Sequence, residues 1–528
     1  MMWYMEIQFI IISLLIGGLV SFLANRYLKS GFAIISALLL ASAVFVWAIR
    51  GPLALLQTSL PLLLPLMFLH VVIYALVPDE NDPKDLKAYR VDMKVNGRRL
   101  VLGNIRRGVS VIASAGSGKT ESVIYNLLGH FRAQQFCGVI HDYKDFEITE
   151  MAYPMFRENG VPFHIVSFDP IYERVNPIAP RYLPDEESVY EISRVLLENL
   201  LELRAEEGNG SSRFFRDAVE GLVSGMIWRL KEDYPDFCTI PHLIALYQQL
   251  DTKGLIKFLK LNITARAMAD AFISGAGSER QTAGVKSTLA NAFKKISTKK
   301  LFMALSSDDI RLDINHPQNP SVICVVNNPK KDASLSPVIA TTIHTISKQM
   351  GERGRNPSFM LLEEASTLRL PNMHRIPATL RSYNIACIYV LQDKVQNDMM
   401  YGDRASRAIL SNLSYQFFGK ANDPDTAKYY ERFFEIVKMP THSVSKSSGL
   451  NLETRITKGE KEVAKRRAST FYGLKQGEFV VFADGKDRKV RFKRPNIPRA
   501  LPSPMAVSPS DLQANYRKVH SEVRSIFK

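Results

Sequence analysis

The sequence predicts an α/β fold of alternating helices and parallel strands, interrupted by an all-α insertion and preceded by N-terminal transmembrane helices. Three observations predict it. A small-residue loop at 113–120 stands between a β-rich run and an apolar pattern at helical spacing. An apolar strand ending in Glu363 and Glu364 follows well over two hundred residues later, a gap too long for one uninterrupted α/β unit. Three long apolar stretches lie before residue 78. With 528 residues the chain can hold two to four domains of ~100–200 residues each. The expected division is an anchor at 1–78, a first α/β part at 79–182, an all-α domain at 183–300, a second α/β part at 301–495 and a tail at 496–528.

The apolar stretches run from Ile7 to Ala24, Phe32 to Ile49 and Pro52 to Val77, each near or above the ~18 residues that cross a hydrocarbon core. Pro61 and Pro65 would kink the third, so two or three spans are expected. A cleaved signal peptide would have a basic start and one short apolar run, whereas Glu6 and three segments stand here. Arg26 and Lys29 in the first loop, and Lys84, Lys87, Arg90 and Lys94 after the third stretch, favour the cytoplasmic side. Trp3 and Tyr4 suit an interfacial aromatic belt. The expectation is a multi-pass membrane protein whose large domain is cytoplasmic.

Net charge is +16, of which the first 78 residues supply +2, so the excess lies downstream and suits a polyanionic partner. Cys137, Cys238, Cys324 and Cys387 are far apart without CxxC spacing, which argues for buried thiols over disulfides or zinc.

Ala113, Ser114, Ala115, Gly116, Ser117, Gly118, Lys119 and Thr120 fit a Walker A loop, with Ala113 in place of the first Gly, and Glu121 closes the candidate nucleotide-binding stretch. Small residues let backbone N–H groups turn toward phosphates, Lys119 would reach the terminal phosphates and Thr120 would ligate Mg2+. Glu363 would hold Mg2+ through water and Glu364 would polarise the attacking water. Asp is more usual at the first acid, so the extra methylene of Glu363 leaves impaired turnover open. Strand 385–391 ends at Gln392, placed to sense the terminal phosphate or position water. Arg381, in the preceding helix, could serve a neighbouring subunit as an arginine finger, with Arg404 or Arg407 as alternatives.

From Pro184 to Ser297 the pattern is helical, with Ile192, Val195, Leu196, Leu200 and Leu203 on one face. Strand and helix then alternate from Val322 to Gly419. Residues 438–467 carry eight Lys or Arg against three Glu without an apolar period and read as a mobile basic loop, with Lys465, Arg466 and Arg467 as candidate DNA contacts. A hairpin is expected between Phe471 and Phe492 around Asp484-Gly485, then an extended or weakly helical tail.

The block from Glu363 to Tyr430 resembles the type IV secretion coupling proteins, the TraG/TraD-type conjugative ATPases. The resemblance rests on the acidic pair, Leu370-Pro371, Arg381, Gln392, Tyr401-Gly402, Ile409 to Asn412 and Asn422-Asp423-Pro424. His141-Asp142-Tyr143-Lys144-Asp145-Phe146-Glu147 is similar to the family's Asp-Pro-Lys-Gly-Glu but lacks its Pro and Gly, so no role is assigned to Lys144. The resemblance implies a RecA-like P-loop nucleotide-binding domain with an inserted all-α domain, assembled as a homo-hexamer at the bacterial inner membrane. It implies ATP hydrolysis with Mg2+. The implied partners are single-stranded transfer DNA or double-stranded DNA, relaxase and relaxosome proteins, the membrane, and the type IV secretion channel. Export of protein effectors stays open, as does a nucleotide-binding docking receptor with weak hydrolysis. A chromosome-type DNA translocase is the third reading, disfavoured because no long low-complexity linker or winged-helix-like C-terminal segment is seen.

Overall fold

The computed structural model describes residues 14–23, 31–54, 60–76, 87–157, 160–201, 210–434, 436–446 and 454–527. The chain divides into two compact units, Met1–Arg90 and Val91–Lys528.

The first unit contains helices at 14–23, Gly31–Ala54 and Leu60–Leu76. Its first and third helices meet where the buried Ser21 hydroxyl and His70 Nδ1 lie 2.5 Å apart. Leu38 and Leu40 on the second helix and Phe68 on the third are exposed. Among the described residues, no helix is long and apolar enough to cross a membrane. This overturns the expected transmembrane helices of 1–78, and with them the multi-pass inner-membrane localisation. The third helix has 17 residues with Pro65 inside it, about 25 Å of a core about 30 Å thick. Trp3, Tyr4, Arg26, Lys29 and Lys84 lie outside the described residues.

The second unit opens with a hairpin, β1 (Val91–Val95) and β2 (Arg98–Leu102). A nine-stranded sheet follows, made of β3 (Val109–Ile112), β4 (Cys137–Asp142), β5 (Phe163–Val166), β6 (Val322–Val326), β7 (Ser358–Leu362), β8 (Ile385–Leu391), β9 (Tyr415–Phe418), β12 (Glu478–Ala483) and β13 (Lys486–Arg491). Its order is β13-β12-β9-β3-β8-β7-β4-β6-β5. The strands from β9 to β5 are parallel. Every residue of β3, β4, β6, β7, β8 and β9 is buried, as expected for strands covered on both faces. The hairpin expected between Phe471 and Phe492 is β12–β13, with Asp484 and Gly485 at φ 47° and 77°, the left-handed pair that a two-residue turn requires.

The helical insertion sits between β5 and β6, from Glu186–Leu200 through Lys299–Leu305. Side-chain caps start most of its helices: Asp185, Thr239, Asp251, Asn262, Ser278 and Thr298 each accept a backbone N–H of the first turn. Ile192, Val195, Leu196 and Leu200 are buried along one helix face, as their spacing predicts, while Leu203 lies outside the described residues. One apolar core joins the insertion to the sheet.

Two expectations near the C-terminus are corrected. Most of the stretch 438–467 is a two-stranded antiparallel ribbon, β10 (Ile436–Lys446) with β11 (Thr454–Ala464), paired from Ile436↔Ala464 to Lys446↔Thr454. Mutual main-chain pairing holds these strands, and a search for an apolar period does not register it. The tail is more ordered than its Pro and Ser content suggests: Ala500 N–H donates to Glu150 O at 3.0 Å and Met505 N–H to Ile171 O at 2.9 Å. Helix Pro509–Ser525 then starts on a Ser508–Asp511 capping box and buries Val519 and Val523. Its Tyr516 ring packs 4.7 Å from Phe302 of the insertion.

Candidate active site

Four neighbouring strands, β3, β8, β7 and β4, end at one edge of the sheet, and each delivers a polar group there. Ile112 is level with Leu391, Tyr389 with Leu362, and Leu362 with His141. The loops after parallel strands at such an edge are where α/β folds bind ligands.

After β3 the chain turns through the small-residue loop. Ala113 N–H donates to Leu391 O and Ser114 N–H to Lys420 O, which fix its entry. Gly116 and Gly118 take φ 74° and 83°, a region that side chains disfavour. At Gly118 a Cβ would also lie 3.2 Å from Gly477 N. The N–H groups of Gly116, Gly118, Lys119 and Thr120 donate to no protein acceptor among the described residues, and a Cβ at Gly116 would meet nothing within 4 Å. Open donors at the start of the helical run Thr120–Ile124 and Tyr125–Ala133 fit a phosphate. Lys119 is buried, and its Nζ donates to Ala113 O at 2.5 Å and lies 4.0 Å from Glu364 Oε1. Burial lowers its pKa, against the pull of Glu364.

Glu363 and Glu364 directly follow β7 and are almost fully buried. Glu363 Oε2 accepts from Tyr143 N–H at 3.2 Å and its Oε1 from Lys144 Nζ at 3.1 Å. Burial, reinforced by nearby Asp142, pushes the Glu363 carboxyl up to about 8, although Lys144 pulls it down. Glu364 sits at φ 45°, a left-handed conformation costing about 1–2 kcal/mol for a residue with a side chain. Its Oε1 accepts from Gln392 Nε2 at 3.0 Å and lies 3.3 Å from Lys144 Nζ. Beneath the pair, Asp142 at the end of β4 accepts from Ile148 N–H, Thr149 N–H and the Thr149 hydroxyl. Burial raises its carboxyl to about 6 despite those bonds.

Among the described residues, no cluster of three His, Cys, Asp or Glu could enclose a metal ion. Mg2+ needs no such cage, since one or two carboxylates with a hydroxyl and phosphate oxygens suffice, and the Thr120 and Glu363 oxygens are of that kind.

The sequence-predicted residues divide accordingly. Lys119, Glu364 and Gln392 converge. Glu121 lies off the loop, paired through Oε2 with Arg494 Nε at 3.0 Å, on the wall of a cavity of about 580 Å³ shared with Gln476 and Phe492. Arg381 ends helix Ile376–Arg381, exposed and before the start of β8, about 20 Å of strand away from Gln392. Arg404 is exposed, and Arg407 pairs with Asp403. Lys465 Nζ and Arg466 Nε pair with Asp487 of β13 at 2.5 and 2.9 Å, and Arg467 is left exposed. All four cysteines are free and buried, as their spacing suggests. Lys144 is the residue that sequence reasoning passed over. Its signal was its place two residues beyond the strand-ending Asp142, discounted because the expected Pro and Gly are missing.

This strand order, with a phosphate cradle after β3, an acidic pair after β7 and helices inserted before β6, defines a RecA-like P-loop NTPase fold. Residues 80–465 match the family described as type IV secretory system conjugative DNA transfer, and the chain belongs to that family. No curated protein matches it in sequence. Among solved structures it is similar to the unbound monoclinic form of the bacterial conjugative coupling protein TrwBdeltaN70, with a TM-score of 0.61 and 13% identity over 81% of this chain and 94% of that one. It is also similar to plasmid coupling protein TrwB in complex with ADP and Mg2+, with a TM-score of 0.58 and 14% identity over 79% and 93% of the two chains. The form of TrwB with the GTP analogue GDPNP gives 0.59 and 14% over 80% and 94%. At these identities the likeness is one of fold.

Proposed function

We propose that this chain is an Mg2+-dependent ATP hydrolase acting as a coupling protein, which recruits DNA with its relaxase and drives it into a type IV secretion channel. The observation that carries the reading is the convergence of Lys119, Glu364 and Gln392 on one sheet edge, with Glu364 Oε1 within 4.0 Å of Lys119 Nζ and 3.0 Å of Gln392 Nε2. The family, and TrwB structures described with ADP and Mg2+ or with an ATP analogue, support the nucleotide and the ion.

In this reading the open N–H groups of the 113–120 loop take the phosphates, and Lys119 leaves the Ala113 carbonyl for the terminal ones. Thr120 and Glu363 would hold Mg2+, which when bound stabilises charge on the phosphate oxygens. Glu364 orients and polarises the attacking water, and Gln392 holds that carboxylate in line. The exposed Arg381 would serve the site of a neighbouring subunit in a hexamer, and Lys465, Arg466 and Arg467 would meet DNA phosphates if Asp487 releases the first two.

Full-length protein should hydrolyse ATP in a Lys119-dependent manner, faster with single- or double-stranded DNA and more than linearly with enzyme concentration. A second reading, a nucleotide-binding docking receptor with weak hydrolysis, draws on Glu363, whose carboxyl is pushed up to about 8 and hydrogen-bonded to Lys144. Tight ATP binding without turnover, with DNA and relaxase present, would select it.

A further inference from the structure

We propose that Lys144 is a positioning residue of the hydrolytic site, a fixed cation that holds both acids of β7 and leaves one oxygen, Glu364 Oε2, for the attacking water. The inference rests on the hydrolase reading above. Lys144 Nζ is 3.1 Å from Glu363 Oε1, 3.3 Å from Glu364 Oε1 and 3.8 Å from Glu147 Oε2. Lys119 does not fill this place, because its ammonium donates to Ala113 O and stands 4.0 Å from Glu364.

The contacts sort the four carboxylate oxygens. Each oxygen of Glu363 accepts one protein hydrogen bond, one from Lys144 and one from Tyr143 N–H, and keeps a second lone pair. On Glu364, Gln392 and Lys144 converge on Oε1, and among the described residues no protein donor reaches Oε2. A carboxylate so held presents a single defined oxygen to a water. Glu363 and Glu364, at 1% and 2% side-chain exposure, share this one cation, and removing it would leave both buried side chains without the group that fixes their orientation in a poorly solvated place.

The backbone supplies an independent observation. Asp145 and Phe146, directly after Lys144, take φ 52° and 74°, two successive non-glycine residues in the left-handed region. Such conformations cost of order 1–3 kcal/mol each and persist only where the surroundings impose them. Asp142 imposes this one by accepting from Lys144, Ile148 and Thr149 N–H, while Asp145 N–H donates to Asn327 O. The strained turn sets Lys144 against the acids.

The test compares full-length wild type, Lys144→Met and Lys144→Arg, with Lys119→Ala as the blank. It measures steady-state ATP hydrolysis, equilibrium binding of a non-hydrolysable ATP analogue, and melting temperature. Lys144→Met should lower kcat by about 10- to 100-fold, with KM and analogue affinity held within about twofold, because misplacing a catalytic group by about 1 Å costs that much in rate. Lys144→Arg, which keeps the charge, should recover part of the loss at an unchanged melting temperature. Wild-type kcat in Lys144→Met would overturn the proposal. Analogue affinity falling in step with kcat, or equal loss in both variants with lowered melting temperatures, would overturn it equally. Wild-type turnover no higher than that of Lys119→Ala would instead overturn the hydrolase reading and this inference with it.

Discussion

The side-chain amide of Gln392 donates to Glu364 Oε1 at 3.0 Å and so ties the end of β8 to the end of β7. In the proposed function it links the strand that leads to the polar sensor with the strand that leads to the acid that would polarise water. Gln392→Ala should lower kcat about tenfold with little change in KM, since the lost contact orients a catalytic group and does not bind ground-state nucleotide. Gln392→Glu should cost more, because a second carboxylate 3.0 Å from Glu364 repels it. Steady-state kinetics of the two variants, with KM rising and kcat held in either, would remove Gln392 from this role.

Gly118 combines φ 83° with a close approach of its backbone to Gly477 N. Gly118→Ala therefore strains the phosphate loop by about 1–2 kcal/mol and should weaken nucleotide binding while leaving the fold intact. Titration with a fluorescent ATP analogue checks this, and wild-type affinity would show that the loop relaxes without loss.

A polar clasp joins the insertion to the segment directly after the acidic pair. Asn199 Oδ1 accepts from Arg369 N–H at 3.0 Å, Asn199 Nδ2 donates to Arg369 O at 2.9 Å, and Arg369 Nε bonds Glu198 Oε2 at 3.0 Å. Asn199→Ala leaves two half-buried backbone groups without partners, at about 1–3 kcal/mol. Urea unfolding should register the loss, and a midpoint equal to wild type would mean that water replaces the amide without cost.

His141 is fully buried in β4, with its Nδ1 2.8 Å from Glu363 O, and burial lowers its pKa to about 4. A base with a depressed folded pKa favours the neutral folded form. Its contribution is complete above the unfolded value of 6.5 and is lost as pH falls toward 4, a swing of about 3 kcal/mol. Glu363, raised to about 8, runs in the opposite sense: its contribution is present at low pH and lost as pH rises through 8. The informative quantity is thus the difference between wild type and His141→Asn. Melting temperatures from pH 7 to pH 4.5 should favour the variant increasingly as pH falls, and parallel curves would show that His141 does not titrate there.

Wherever an element follows from neighbours along the chain, residue order was enough. The phosphate loop, the acid-ended strand and the helical insertion were all legible, because each is a contiguous pattern whose meaning depends on local backbone chemistry. Gln392 was legible as a strand-ending polar residue, although its partner was not. Contiguous apolar runs also suggested a membrane anchor, which the described helices do not sustain. The β10–β11 ribbon escaped because strands paired only with each other carry no local period.

What residue order alone did not yield was the meeting of Lys144 with Glu363, 219 residues apart, or of Lys465 and Arg466 with Asp487. The first depends on β4 lying beside β7 and the second on β13 lying near the end of the ribbon. Strand order is chosen by the packing of the whole sheet and its helices. The sequence by itself determined which residues are candidates for phosphate, acid and base chemistry, and only the tertiary structure decided which of those charges face one another, because a charge's partner is set by distance in space.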